Sequence, residues 1–273
     1  MRQVHPAWAG LTVAALVGAS AASAVVLGWD GSFPDPPGAS FDAAQAEARG
    51  WSAVTLGLAV PIGGIALRAA IRGSIAGRIG WAGSMAYLVY TFLEFAVSPP
   101  FTALYLVYVA TYALALAAGI GALTGFDPAD LAALPDRFAR APRRGIAAYA
   151  VLFSSLLAAA WLRDIAGRTA AGAFGYPQGV DAIGHVVHAL DLGLLVPLGL
   201  ATGILLWIRH PAAWVVAGIQ LVIAVDMGLA LAAMVGASGI AAGTGPWAAI
   251  PFLVAWAVWA GLAGVAIRTP AAD

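Results

Sequence analysis

No cysteine and no lysine occurs in the 273 residues, and only 10% of them carry a charge. The lack of cysteine removes disulfides, thiolate metal sites and cysteine nucleophiles together. The lack of lysine removes any retinal Schiff base, so a rhodopsin-type photoreceptor is excluded. All 13 basic residues are arginine, and 13 acidic residues balance them to a net charge of zero, which argues against nucleic acid as a partner. Against this scarcity stand 62% hydrophobic residues and a mean hydropathy of +0.90. No water-soluble domain of this length hides so much apolar surface.

Tracts of about 20 apolar residues recur, and each is long enough to cross a hydrocarbon core of ~30 Å as a helix. Eight are predicted, near 8–28, 51–69, 79–97, 101–123, 145–163, 183–208, 212–236 and 247–267. The expected fold is all-α: a polytopic membrane protein with eight transmembrane helices, 1–273 forming a single integral membrane domain in a lipid bilayer. Ala22, Ser23 and Ala24 fit a small-residue cleavage pattern, but the apolar run continues through Val25, Val26 and Leu27. The first tract is therefore read as a retained helix.

Charge placement orients the chain. Arg2, Arg68, Arg72, Arg78, Arg137, Arg140, Arg143, Arg144, Arg209 and Arg268 fall on one side of the eight tracts, against Arg49, Arg163 and Arg168 on the other. The positive-inside rule then puts both termini in the cytoplasm of a cell whose inner (plasma) membrane holds the protein.

An internal repeat is visible. LGLAVPIG at 56–63 and LGLLVPLG at 192–199 share six of eight residues, including the mid-helix prolines Pro61 and Pro197, and each runs out towards an arginine, Arg68 or Arg209. The fourth and eighth tracts align as well: Pro99 with Pro246, Tyr105 with Phe252, Val107 with Val254, Ala110 with Ala257, Tyr112 with Trp259. The expectation is two parallel four-helix repeats, about 1–125 and 145–273, joined by a cytoplasmic loop at about 125–144. In that alignment His185, His188 and Asp191 correspond to Arg49, Ser52 and Thr55. Before the second tract, Ser40 in GASFDAAQAEARGW is a plausible N-cap with Asp42 in the first turn.

Charged groups inside apolar helices cost roughly 2.5–3.5 kcal/mol each on insertion scales and mark functional sites by default. His185, His188 and Asp191 lie in the sixth tract and Asp226 in the middle of the seventh. Counting from Asp181 at the outer end, His185, His188 and Asp191 fall at roughly 6, 10 and 15 Å. Glu94 sits near the outer end of the third tract, and Arg163 and Asp164 close the fifth on the same side. The ionisable groups thus form a ladder from the outer surface to about the midplane, with Arg49, Arg163, Asp164 and Asp181 at its rim. Asp191 and Asp226, the two deepest, are expected to face each other or one shared cavity, and where they are close one holds a proton or a cation bridges them. On the third tract Ser84, Tyr87, Thr91, Glu94 and Ser98 form one stripe, and on the fourth Thr102, Tyr105, Tyr108 and Tyr112 form another. The tight SPP turn makes these two helices neighbours, so their stripes either line a common cavity or hydrogen-bond between helices.

Three functions fit the ladder. The first is a proton- or cation-coupled transporter of small molecules, with the cavity opening outwards and lined by Glu94, His185, His188, Asp191, Asp226, Tyr87, Thr91, Tyr105 and Tyr108. The second is a membrane-embedded metal-dependent hydrolase in which His185, His188 and Asp191 hold Zn²⁺ or Mn²⁺ and activate a water. The third is a ligand-binding sensor or assembly protein without catalysis. Haem is disfavoured, because His185 and His188 share one helix while His5 and His210 lie at the cytoplasmic surface. RGSIAGRIGWAGSMAYLVYTFLEFAVSPPFTALYLVYVATYALALAAGI, with HVVHALDLGLLVP, resembles a family of bacterial multi-pass inner-membrane proteins; the resemblance implies no activity and assigns no site.

Overall fold

The structure is a computed structural model that describes residues 3–32, 43–98, 101–138, 141–172 and 181–268, apart from the side chains of 181–184 and 267–268. Ser40, Asp42 and Pro99, and the side chain of Asp181, lie outside the described residues. Among those described no strand forms.

Helix α1 (Pro6–Gly28) opens with proline at its first position, where the missing N–H costs nothing, and His5 Nδ1 accepts the Ala7 N–H at 3.2 Å. Helix α2 (Ala43–Val54) passes through a π turn at Thr55–Ala59 into α3 (Val60–Ile71). Ser74 caps α4 (Ile75–Val97) by accepting from the Gly77 N–H at 3.0 Å. Then follow α5 (Tyr105–Leu123), the short α6 (Pro128–Arg137) and α7 (Arg143–Ala170). Helix α8 (Asp181–Leu190) runs through a second π turn at Asp191–Leu195 into α9 (Val196–Trp207), followed by α10 (Ala213–Ala241), a 3₁₀ turn at Pro246–Ala249 and α11 (Ile250–Arg268).

Among the described residues seven helical stretches are long and apolar enough to cross a membrane, one fewer than the eight expected. The exception is α4. Its 23 residues suffice in length, but Arg78, Trp81, Ser84, Tyr87, Tyr90, Thr91 and Glu94 dilute its apolar character. The physical reason is its position. Trp81, Met85, Tyr87, Leu88, Thr91 and Phe92 are all almost fully buried, and Trp81 Nε1 donates to Thr12 Oγ1 of α1 at 2.9 Å. A helix enclosed by protein satisfies its polar groups on neighbours and does not need lipid-facing hydropathy.

Several helices also outrun their expected ends. Helix α7 continues seven residues beyond Arg163, so Arg163 and Asp164 lie inside it rather than at its close. Asp164 and Arg168, one turn apart, pair along that extension, as charged residues on a solvated helix do.

The bundle is drawn tight by small residues. A Cβ on Gly50 would lie 2.4 Å from the backbone oxygen of Ala233, so α2 and α10 touch backbone to backbone. A Cβ on Gly83 would meet Val222, and one on Gly218 would meet Ile79. Because both partners rise together in number, α4 and α10 run parallel, side by side at the centre.

Both π turns have one cause in common. The Val60 N–H donates to Thr55 O and the Val196 N–H to Asp191 O, each bond spanning five residues rather than four. The next residue is a proline in both places, Pro61 and Pro197, which has no N–H and whose ring would crowd the carbonyl four residues back. A widened turn eases that crowding.

Candidate intramembrane carboxylate site

Asp191 is the first residue of the second π turn and is 6% exposed. Tyr90 of α4 donates its hydroxyl to Oδ1 at 2.6 Å, and Trp161 of α7 donates its indole N–H to Oδ2 at 2.8 Å. Three segments distant in sequence therefore converge on one carboxylate, with each oxygen served by a separate donor. Hydrogen bonds to a charged acceptor contribute roughly 1.5–3 kcal/mol each, enough to offset much of the cost of burial.

From Asp191 a polar file leads along α7 and α8. The Trp161 ring packs on the His188 ring with centroids 4.4 Å apart. His188, itself buried, places Nε2 3.4 Å from Asp164 Oδ2, and Asp164 accepts from Arg168 Nε at 2.7 Å. The side chain of Asp164 is 41% exposed, so the file ends in partial contact with the surroundings. His185 lies further out, exposed, with its ring 6.4 Å from that of His188.

The first π turn carries its own network. Thr55 Oγ1 and the Tyr87 hydroxyl are 2.8 Å apart, Thr55 also donates to the Trp51 carbonyl at 3.1 Å, and the Trp51 indole donates to Thr91 Oγ1 at 3.1 Å. Trp51 and Tyr87 stack at 6.5 Å. Each π turn thus begins with a polar side chain gripped by a tyrosine of α4.

Asp226 of α10 is 0% exposed, and neither of its carboxylate oxygens has a hydrogen-bond partner among the described residues. Asp191, by contrast, is held by donors from α4 and α7. Since α2 runs antiparallel to α10 and Gly50 meets Ala233, Asp226 lies at about the level of Thr55.

The remaining candidates are spread out. Glu94 is half-buried, one turn beyond Tyr90 on α4. Tyr87 and Thr91 face α2, as above. Tyr108 is buried between Phe92 and Phe95, with centroids 6.0 and 5.4 Å away, and Tyr105 packs on Phe101 at 4.9 Å. Of the two stripes, Tyr87 and Thr91 on α4 thus bond to the first π turn and to α2, while Tyr105 and Tyr108 on α5 pack on aromatic rings. At the rim Arg49 pairs with Asp30 and Arg163 is exposed.

The expected metal set, His185, His188 and Asp191, is not gathered as one ligand set among the described residues. Among the described residues no three His, Asp or Glu side chains come together as ligands. Both Asp191 oxygens already accept from Tyr90 and Trp161, His188 Nε2 lies beside Asp164, and the His185 ring is centred 6.4 Å from that of His188.

Tyr90 and Trp161, the donors to Asp191, are the members of this network that the sequence pattern does not single out. Tyr90 falls off the Tyr87–Thr91–Glu94 stripe, and Trp161 reads as an ordinary apolar residue near the end of a span. The available signal is indirect: an Asp in mid-helix needs donors, and Tyr and Trp are the donors an apolar helix carries. No family model, curated protein or solved structure matches the chain.

Proposed function

We propose that the chain is a proton- or cation-coupled transporter of small molecules, with Asp191 and Asp226 as the groups that take up and release the coupling ion. In this reading it crosses the cell's inner membrane eight times, α4 included, with both termini cytoplasmic. Two parallel halves, about 1–125 and 145–273, are related by a pseudo-two-fold axis between α4 and α10, and α6 lies in the cytoplasmic loop at about 125–144.

The observation that carries it is the coincidence of two helix defects with the sequence repeat. The π turns begin at Thr55 and Asp191, separated by the same 136 residues as LGLAVPIG and LGLLVPLG. The same spacing relates Tyr90, which binds Asp191, to Asp226. The packing is reciprocal too: α2 of one half lies on α10 of the other, α8 on α4, and α4 on α10. Interrupted helices that place polar groups near the midplane, at the junction of two related halves, are a recurrent way of building a transport site. A buried carboxylate without a donor is costly in its ionised form, and that cost is met by an accompanying proton or cation.

The test uses purified protein in liposomes, with an imposed pH or sodium gradient and panels of amino acids, organic acids, sugars and nucleosides. A gradient-dependent transport current is expected for one class, and it should vanish in Asp191→Asn. Currents that are the same in wild type and in Asp191→Asn across the whole panel overturn the reading.

A further inference from the structure

At the arginine-rich end of the bundle two cavities adjoin. One, of about 310 Å³, lies between α4, α10 and α11 and is walled mainly by apolar side chains such as Ile79, Leu221, Val222 and Ala263. The other, of about 260 Å³, lies between α7, α9 and α10 and is lined by Arg143, Arg209 and His210. Phe138 and Trp214, stacked with centroids 4.9 Å apart, belong to the walls of both. Among the described residues no acidic side chain lines either cavity.

The basic cavity is held open by the backbone. Arg143 donates through one guanidinium nitrogen to the carbonyls of Leu206 and Trp207 at the end of α9, which fixes its side chain across the gap. Arg209 has φ 59, the left-handed region, and is the one described residue other than glycine that does. The His210 N–H closes back on Leu205 O at 2.9 Å, the helix-ending geometry in which glycine is usual at the position Arg209 occupies. A left-handed arginine where glycine would be easier is an observed strain that points to a use for its side chain. That side chain makes no hydrogen bond or ion pair among the described residues. Beside it Trp207 and Ile208 are 66% and 62% exposed, a large apolar surface next to the cationic pocket.

We infer that these two cavities form one site for an anionic phospholipid: the phosphate among Arg143, Arg209 and His210, part of an acyl chain in the apolar cavity beyond the Phe138–Trp214 stack. Cation and apolar pocket side by side match an amphiphile better than a free anion, and basic pockets between helices at this end of a membrane protein face the headgroups of the inner leaflet. The site rests on the proposed orientation of the arginine-rich end but not on transport, because Arg209 and His210 lie 18 and 16 residues along the chain from Asp191 and Asp226 respectively.

Lipid retained by the purified protein is measured by native mass spectrometry after exchange into vesicles of equal parts phosphatidylglycerol and phosphatidylethanolamine. Wild type is expected to carry phosphatidylglycerol in preference. Arg209→Gly should cut that retention about fivefold, the weight of one basic residue at an anionic surface. Its melting temperature should not fall, since glycine suits the left-handed backbone, so a loss of binding is not a loss of fold. Equal retention of the two lipids, or Arg209→Gly binding phosphatidylglycerol as wild type does, overturns the proposal. So does glycerol phosphate, the headgroup without chains, competing as well as the lipid, because the site would then belong to a soluble phosphate ester.

Discussion

Asp191 and Asp226 are both buried acids in apolar helices, yet among the described residues one has two donors and the other has none. Opposite responses to substitution follow. Asp191→Asn keeps the size and one acceptor, so folding should stay close to intact while transport is lost; Asp191→Leu leaves the Tyr90 hydroxyl and Trp161 indole unpaired and should cost about 2–4 kcal/mol. Melting temperatures in detergent check the first part and liposome currents the second. If Asp191→Asn transports normally while Asp191→Leu fails to fold, Asp191 is only a helix lock. Asp226 has no hydrogen bond to lose among the described residues, so Asp226→Asn or Asp226→Leu should be neutral or stabilising by about 1–3 kcal/mol while abolishing transport. A large fall in melting temperature for both would show that Asp226 has a structural partner. The carboxylates were legible in the sequence because charge in an apolar tract is conspicuous. Their donors were not, since Tyr90 and Trp161 read as packing until the helices are placed around them.

The element scale turns on the two π turns. Helical periodicity of the apolar residues reads straight through 55–59 and 191–195, because a π turn adds one residue without breaking the apolar run. What the sequence did show was the shared LGLxVPxG, whose proline is the cause of the defect and whose glycine lies four residues before it. Gly57 and Gly193 are those glycines, and a Cβ on either would meet open space. They are therefore not there for close packing. Gly57→Ala and Gly193→Ala should each stabilise the helix by about 0.5–1 kcal/mol. If these turns are where the helices flex during transport, both variants should also slow it; faster or unchanged turnover would make the turns static. In α6, the Asp127 N–H donates to Asp130 Oδ2 at 3.0 Å and holds the Asp130 carboxyl below its ordinary pKa. A depressed carboxyl stabilises above its unfolded pKa of roughly 3.9, and that stabilisation is lost as pH falls through the lowered value. The first turn of α6 should fray at that acidic pH. Asp130→Asn should reproduce the effect at neutral pH, read as faster amide exchange at Leu131.

For the whole molecule, the all-helical class and the apolar spans follow from composition alone, and seven of the eight expected spans meet the criterion of length and hydropathy. The eighth, α4, was legible as a helix but not as the hub. Of the two uses its polar stripe suggested, a common cavity or hydrogen bonds between helices, Tyr87 shows the second in its bond with Thr55, and Tyr90, off the stripe, binds Asp191 in the same way. A span judged only by hydropathy undervalues the helix that the other helices enclose. Whether α4 crosses the membrane fixes the side of everything after it, so the topology is the decisive prediction at this scale. If α4 crosses, Arg72 and Arg144 share one side, and Thr169 and Thr244 the other; all four are exposed. The chain contains no cysteine, so single Cys substitutions can be labelled without background. In intact spheroplasts an impermeant maleimide should label Thr169→Cys and Thr244→Cys, and should reach Arg72→Cys and Arg144→Cys only after permeabilisation. Were α4 to stay on one side, Arg72 and Arg144 would fall on opposite sides of the membrane, and only one of them would be protected. If both arginine positions label in intact cells and both threonine positions are protected, the span count survives but the orientation drawn from ten arginines against three is reversed.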